Sequence, residues 1–90
     1  MIRYVIEREI PAIGDFDGDQ LREASKLSNG ALSQLAPRVQ WEHSYVTGNK
    51  TFCIYLAEDE AAIAEHATIS GFPANQVTKV TSIIDPTTAN

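Results

Sequence analysis

The chain has few of the residues that usually announce a function. Its single cysteine, Cys53, excludes an intrachain disulfide, and a thiol in an acidic chain suits a reducing cytoplasm. There is one tryptophan, and there are two histidines, so any imidazole chemistry rests on His43 and His66. Basic residues are scarce and scattered, seven Lys and Arg against twelve Asp and Glu, for a formal net charge of −5 and a pI near 4.8. Nucleic-acid binding needs clustered cations to displace counterions from phosphates, so that class is excluded. The opening MIRYVIEREIP carries a charge at every second or third position and has no apolar segment of a secretion signal or membrane span. We therefore expect a cytoplasmic protein with neither nucleic acid nor membrane as partner. No repeat, linker or low-complexity tract interrupts the chain, and residues 1–90 form one domain. A chain of this length buries only about 60 % of its unfolded surface, so self-association would add useful burial.

What is present is a pattern of strands and helices. Ile2 to Glu9 alternates β-branched and aromatic residues with charged ones and is closed by Pro11, the signature of a strand. An Asp/Gly loop follows, and Leu21, Ala24, Leu27, Ser28, Ala31, Leu32 and Leu35 then recur by threes and fours as one helical stripe ended by Pro37. The expected helix covers about Asp19 to Ala36, with Asp17 or Asp19 capping its first turn and Asn29-Gly30 weakening its middle. Asp15, Asp17 and Asp19 suggest a calcium loop, but the glycine falls at the wrong place and no glutamate follows at the needed spacing. Glu58, Asp59 and Glu60 start a second helix, about Glu58 to Ser70, whose inner face is Ala61, Ala62, Ile63, Ala67 and Ser70, with Gly71 at its end. Gln76 to Ile84 alternates again as a last strand.

The stretch from Arg38 to Ala57 between the helices holds Trp41, Cys53, two of the three tyrosines and His43. Gly48-Asn49 sits between two β-rich runs, the signal of a tight two-residue turn. With Thr47 opposite Lys50, Tyr45 pairs with Phe52, His43 with Ile54 and Trp41 with Leu56 on one face, and Ser44 pairs with Cys53 and Glu42 with Tyr55 on the other. The first set is the greasier and is expected to face the helices; Val46, Cys53 and Tyr55 are expected on the open side. The order strand, helix, strand, strand, helix, strand is the split βαβ arrangement: an α+β, ferredoxin-like antiparallel sheet with both helices on one face. Its open face is too apolar for water, and a homodimer is the simplest cover.

His43, Cys53 and His66 carry donors that suit nickel, zinc or copper, and carboxylates Glu42 and Glu65 stand beside the histidines. Neither C-x-x-C nor H-x-x-x-H occurs, so a site has to be assembled across elements or across a dimer. The plainer readings are a hydrogen-bonded strand histidine for His43, a helix-flank histidine for His66, a small buried apolar residue for Cys53, and core for Trp41, Tyr45 and Phe52.

The runs W-x-H-S-Y-V at Trp41 to Val46, T-x-C-x-Y at Thr51 to Tyr55, and E-H-A followed by G-F-P at Glu65 to Pro73 resemble a family of small bacterial nickel-binding proteins, formerly grouped as a domain of unknown function. The likeness extends from RYVIER near the start to the ending IIDPTTA. It implies a dimeric ferredoxin-like fold and binding of nickel, or another divalent transition metal, in sequestration or homeostasis, and it implies no enzymatic activity.

Three classes follow. A metal-binding dimer uses His43 and His66, with Glu42, Glu65 and Cys53 as further ligands. A small-molecule enzyme of the dimeric α+β barrel type uses His43 or His66 as acid/base beside Tyr45 and requires a sealed cavity between sheet and helices. An interaction module requires neither.

Overall fold

The computed structural model describes residues 1–90. Four strands, β1 (Ile2–Glu9), β2 (Val39–Val46), β3 (Lys50–Ala57) and β4 (Gln76–Lys79), form one sheet in the order β2-β3-β1-β4, every neighbouring pair antiparallel. Helices α1 (Gly18–Leu35) and α2 (Glu60–Ser70) pack on one face, which is the expected ferredoxin-like α+β arrangement. No helix is long and apolar enough to cross a membrane.

Local chemistry explains the helix boundaries. The Asp17 carboxylate accepts from the Gln20 N–H at 2.8 Å while the Gln20 side chain accepts from the Asp17 N–H at 2.9 Å, a reciprocal cap on the positive end of α1. Gly30 does not split the helix, which runs unbroken to Leu35. Asp59 accepts from the Ala62 N–H at 2.9 Å, so α2 begins at Glu60 rather than Glu58. Gly71, at φ 81°, ends it in the left-handed conformation that a Cβ disfavours.

The core lies between the sheet and the helices. Tyr4 and Ile6 of β1, Cys53, Tyr55 and Ala57 of β3, Val39 of β2, Leu35 of α1 and Ala62 and Ile63 of α2 form its buried cluster. Two expectations about the hairpin are corrected here. The pairs Tyr45 with Phe52, Ser44 with Cys53 and His43 with Ile54 are formed, but the helices cover the Ser44, Cys53 and Tyr55 side, leaving His43, Tyr45, Phe52, Ile54 and Leu56 on the open face. Burial and a polar contact mark the covered side. Ser28 and Ala31 of α1 and Ala62 of α2 are buried with Thr51, Cys53, Tyr55 and Ala57, and the Tyr55 hydroxyl finds Ser28 Oγ of α1 at 3.2 Å, a partner that satisfies it inside the core. The second correction is an irregularity between Trp41 and His43: Trp41 pairs with Tyr55, not Leu56, and turns to the helix side.

Two further elements depart from expectation. β4 is shorter, because its partner runs out: Val80 donates to the Arg3 carbonyl at 2.9 Å, one residue from the start of β1, and Ile83 and Ile84 beyond it are exposed. Leu27 also leaves the inner stripe of α1 and is exposed, while Ser28, Ala31 and Leu35 are buried.

Candidate functional site

The five proposed ligands are distributed over both sides of the sheet. His43 is exposed on β2, its Nε2 sharing a 3.1 Å hydrogen bond with the Tyr45 hydroxyl and its ring edge-on to the Tyr45 ring, 5.0 Å between centroids. Glu42 is the extra residue at the β2 irregularity, and it accepts from Arg3 Nε at 2.8 Å. That guanidinium bond holds its carboxyl below the usual range.

His66 lies on the other side and is 0 % exposed, at the centre of the buried face of α2 between Ile63 and Ser70 rather than at its flank. Ser28 of α1 joins it to the sheet: Ser28 Oγ is 3.1 Å from His66 Nε2 and 3.2 Å from the Tyr55 hydroxyl, and the His66 ring stands edge-on to Tyr55 at 5.0 Å. Burial, with the Arg8 guanidinium adding to it, lowers the His66 pKa from 6.5 to about 4, so the imidazole is neutral at physiological pH. Its Nδ1 is buried without a partner. Burial raises the Tyr55 pKa, keeping the phenol protonated.

Cys53 is buried on the helix side, its Sγ 3.3 Å from Thr51 Oγ1. Glu65 is exposed and bound to Arg38, whose Nη1 and Nη2 reach its two oxygens at 3.0 and 3.2 Å while Nε reaches Glu58. The carboxylates in turn hold the Arg38 pKa well above its usual value. No three His, Cys, Asp or Glu side chains come together as a metal cluster, and His43 and His66 face opposite sides of the sheet.

A cavity of about 90 Å³ does lie between α1 and the sheet, lined by Arg8, Leu21, Ser28, Trp41, Cys53 and Tyr55 among others. His43 and Tyr45 do not line it, and His66 is linked to it only through Ser28. The His43–Tyr45 pair that a pocket enzyme would use as acid/base and neighbouring hydroxyl therefore lies on the open face, across the sheet from the cavity.

The residue that sequence reasoning passed over is Arg8. It follows Tyr4 and Ile6 at two-residue spacing on the inward side of β1 and is only 2 % exposed. Its Nη1 donates to the Pro73 carbonyl at 2.8 Å, its guanidinium carbon lies 5.7 Å from the Tyr55 ring centre, and its Nη2 has no acceptor. The signal was legible as an arginine in register with a run of core positions.

A family model described as "Nickel responsive protein SCO4226-like" matches residues 4–80. The crystal structure of SCO4226 from Streptomyces coelicolor A3(2) superposes with a TM-score of 0.76 at 13 % sequence identity, covering 91 % of this chain and 99 % of that one, a likeness of fold. No curated protein matches the chain.

Proposed function

We propose, for a chain that belongs to the family of SCO4226-like nickel responsive proteins, that it binds a divalent transition metal, nickel for preference, through His43 on the open face of the sheet. The observation that carries this reading is the contrast between the two histidines. His43 is exposed and held only by Tyr45, whereas His66 is fully enclosed and tied to Ser28. An ion arriving from solvent meets the first and not the second. Neutral imidazole is a suitable nickel ligand, and because it must be unprotonated to bind, affinity falls with acid.

One chain does not furnish a full shell. Glu42, beside His43, is engaged by Arg3 and would exchange that partner for the metal; Cys53 and His66 lie across the sheet, and Glu65 is held by Arg38. The donor set fits a shared, water-completed site and not a cage within one chain. A homodimer through the open face supplies the second imidazole and also covers Val5, Phe52, Ile54 and Leu56, a half-buried apolar strip across two central strands. Such an open site binds moderately and exchanges its ion, which suits a sequestering or homeostatic role.

Calorimetric titration with nickel, zinc, cobalt and copper tests this. The parent should bind nickel, His43→Ala should lose roughly tenfold or more in affinity, and His66→Gln, if folded, should bind like the parent. Parent-like nickel affinity in a folded His43→Ala protein would overturn the assignment.

A further inference from the structure

Arg8 is the one charged residue lining the cavity between α1 and the sheet, and no carboxylate lines it. A guanidinium 2 % exposed is rare without a counter-anion, because removing a cation from water costs far more than a few carbonyl contacts return. Here the compensation is partial. Nη1 donates to the Pro73 carbonyl at 2.8 Å and, more weakly, to the Phe72 carbonyl at 3.5 Å, and the Tyr55 ring faces the charge, but all three are neutral partners, and Nη2 has none. Arg8 belongs to no ion pair in the fold, although every other arginine of the chain does.

The rest of the lining completes a recognisable chemistry. Ile10, Ile13, Leu21, Val46 and Phe72 make apolar walls, while the half-buried Ser25 is a hydroxyl donor that forms no hydrogen bond within the protein. About 90 Å³ corresponds to the liquid volume of roughly three water molecules, enough for a short organic molecule and too little for a nucleotide or a long acyl chain. The His66–Ser28–Tyr55 network closes the inner end with neutral groups, so nothing there repels an anion.

The geometry points to a second ligand site, separate from His43: the cavity between α1 and the sheet takes a small organic carboxylate with a short apolar body, its anionic end on Arg8. The guanidinium supplies charge-assisted hydrogen bonds at the apolar-walled end of a pocket that opens to solvent, and the walls select against bare inorganic ions, which cannot fill them. Arg8 stands on the central strand β1, so the donor is rigid before the ligand arrives.

Trp41 lines the cavity and is the only tryptophan, so its fluorescence reports occupancy. The test titrates the metal-free protein with butyrate, with its neutral isostere butyramide, and with sodium chloride at matched ionic strength. Butyrate should give a saturable change in Trp41 emission and raise the melting temperature, with butyramide and chloride at least about tenfold weaker. Arg8→Met should remove the difference between butyrate and butyramide. Ala24→Leu, at a half-buried lining position on α1, fills the space without touching the charge and should weaken butyrate by about tenfold or more while the protein stays folded. An equal response to butyrate and butyramide, or parent-like butyrate binding in Ala24→Leu, overturns the proposal, and both arms remain decisive if Arg8→Met fails to fold.

Discussion

Trp41 and His43 point to opposite faces of the sheet although they stand two apart on one strand. Trp41 is opposite Tyr55 and stacks near it, centroids 6.4 Å apart, while His43 is opposite Ile54, because Glu42 is inserted between them. In a regular strand the two side chains share a face. The inserted residue therefore puts the tryptophan into the helix-side core and the imidazole on the open surface, separating the cavity from the proposed metal position.

Trp41 is half-buried, with its Nε1 donating to Ser44 Oγ at 2.9 Å, so its loss costs less than that of a fully enclosed ring. Trp41→Ala should lower the unfolding free energy by about 2–3 kcal/mol, measured by denaturant titration. A change below about 1 kcal/mol would place the ring in solvent and remove the irregular pairing.

Stability should depend on pH through His66. Its folded pKa of about 4 lies below the ordinary 6.5, so the unfolded chain takes up the proton first. The stability of the fold is fully present above about pH 6.5, falls as pH drops toward 4 and levels below, with a total loss of about 3 kcal/mol from this group. In His66→Gln the loss over that window should shrink by a comparable amount; an unchanged pH profile would mean that the imidazole is solvated.

The 3-10 turn at Ile13–Asp15 leans on the hairpin tip. Gly14 N–H donates to the Gly48 carbonyl at 3.0 Å, and a Cβ on Gly14 would stand 2.8 Å from the Thr47 carbonyl oxygen and 2.9 Å from Gly48 Cα, both backbone atoms with little freedom to yield. Gly14→Ala should destabilise by roughly 1–3 kcal/mol. Gly18→Ala, with open space around it, should cost well under 1 kcal/mol. Equal melting temperatures for the two variants would contradict the contact.

Ile54 sits between Val5 and His43 at the middle of the open face. Ile54→Glu leaves the helix-side core untouched and, in a homodimer through this face, buries an unpaired charge. Sedimentation velocity should show the parent dimeric and Ile54→Glu monomeric with unchanged circular dichroism. A dimer that survives the substitution must use another surface.

How much was legible beforehand follows the range of the forces involved. Element order, an aspartate cap at Asp17 or Asp19, the Gly71 stop and the two-residue turn at Gly48-Asn49 were all readable, because propensity, capping and turn chemistry act between residues a few positions apart. The ferredoxin-like fold followed from that order, and the runs around Trp41 and Thr51 carried the family resemblance. Which side of the hairpin the helices cover was not readable. Hydropathy favours the Phe52, Ile54 and Leu56 side, whereas the folded chain buries the Cys53 and Tyr55 side, where Ser28 of α1 bonds both the Tyr55 hydroxyl and His66 of α2, contacts between residues distant in sequence. The candidate site divided along the same line: residue types named His43, Glu42, Cys53, His66 and Glu65, but chemistry alone cannot say that Arg3 and Arg38 hold the two carboxylates or that the sheet stands between the two imidazoles. Composition determined what kind of donors the chain possesses; three-dimensional packing decided which of them meet solvent, and it enclosed Arg8 without an anion because that pairing depends on strands and helices distant in sequence.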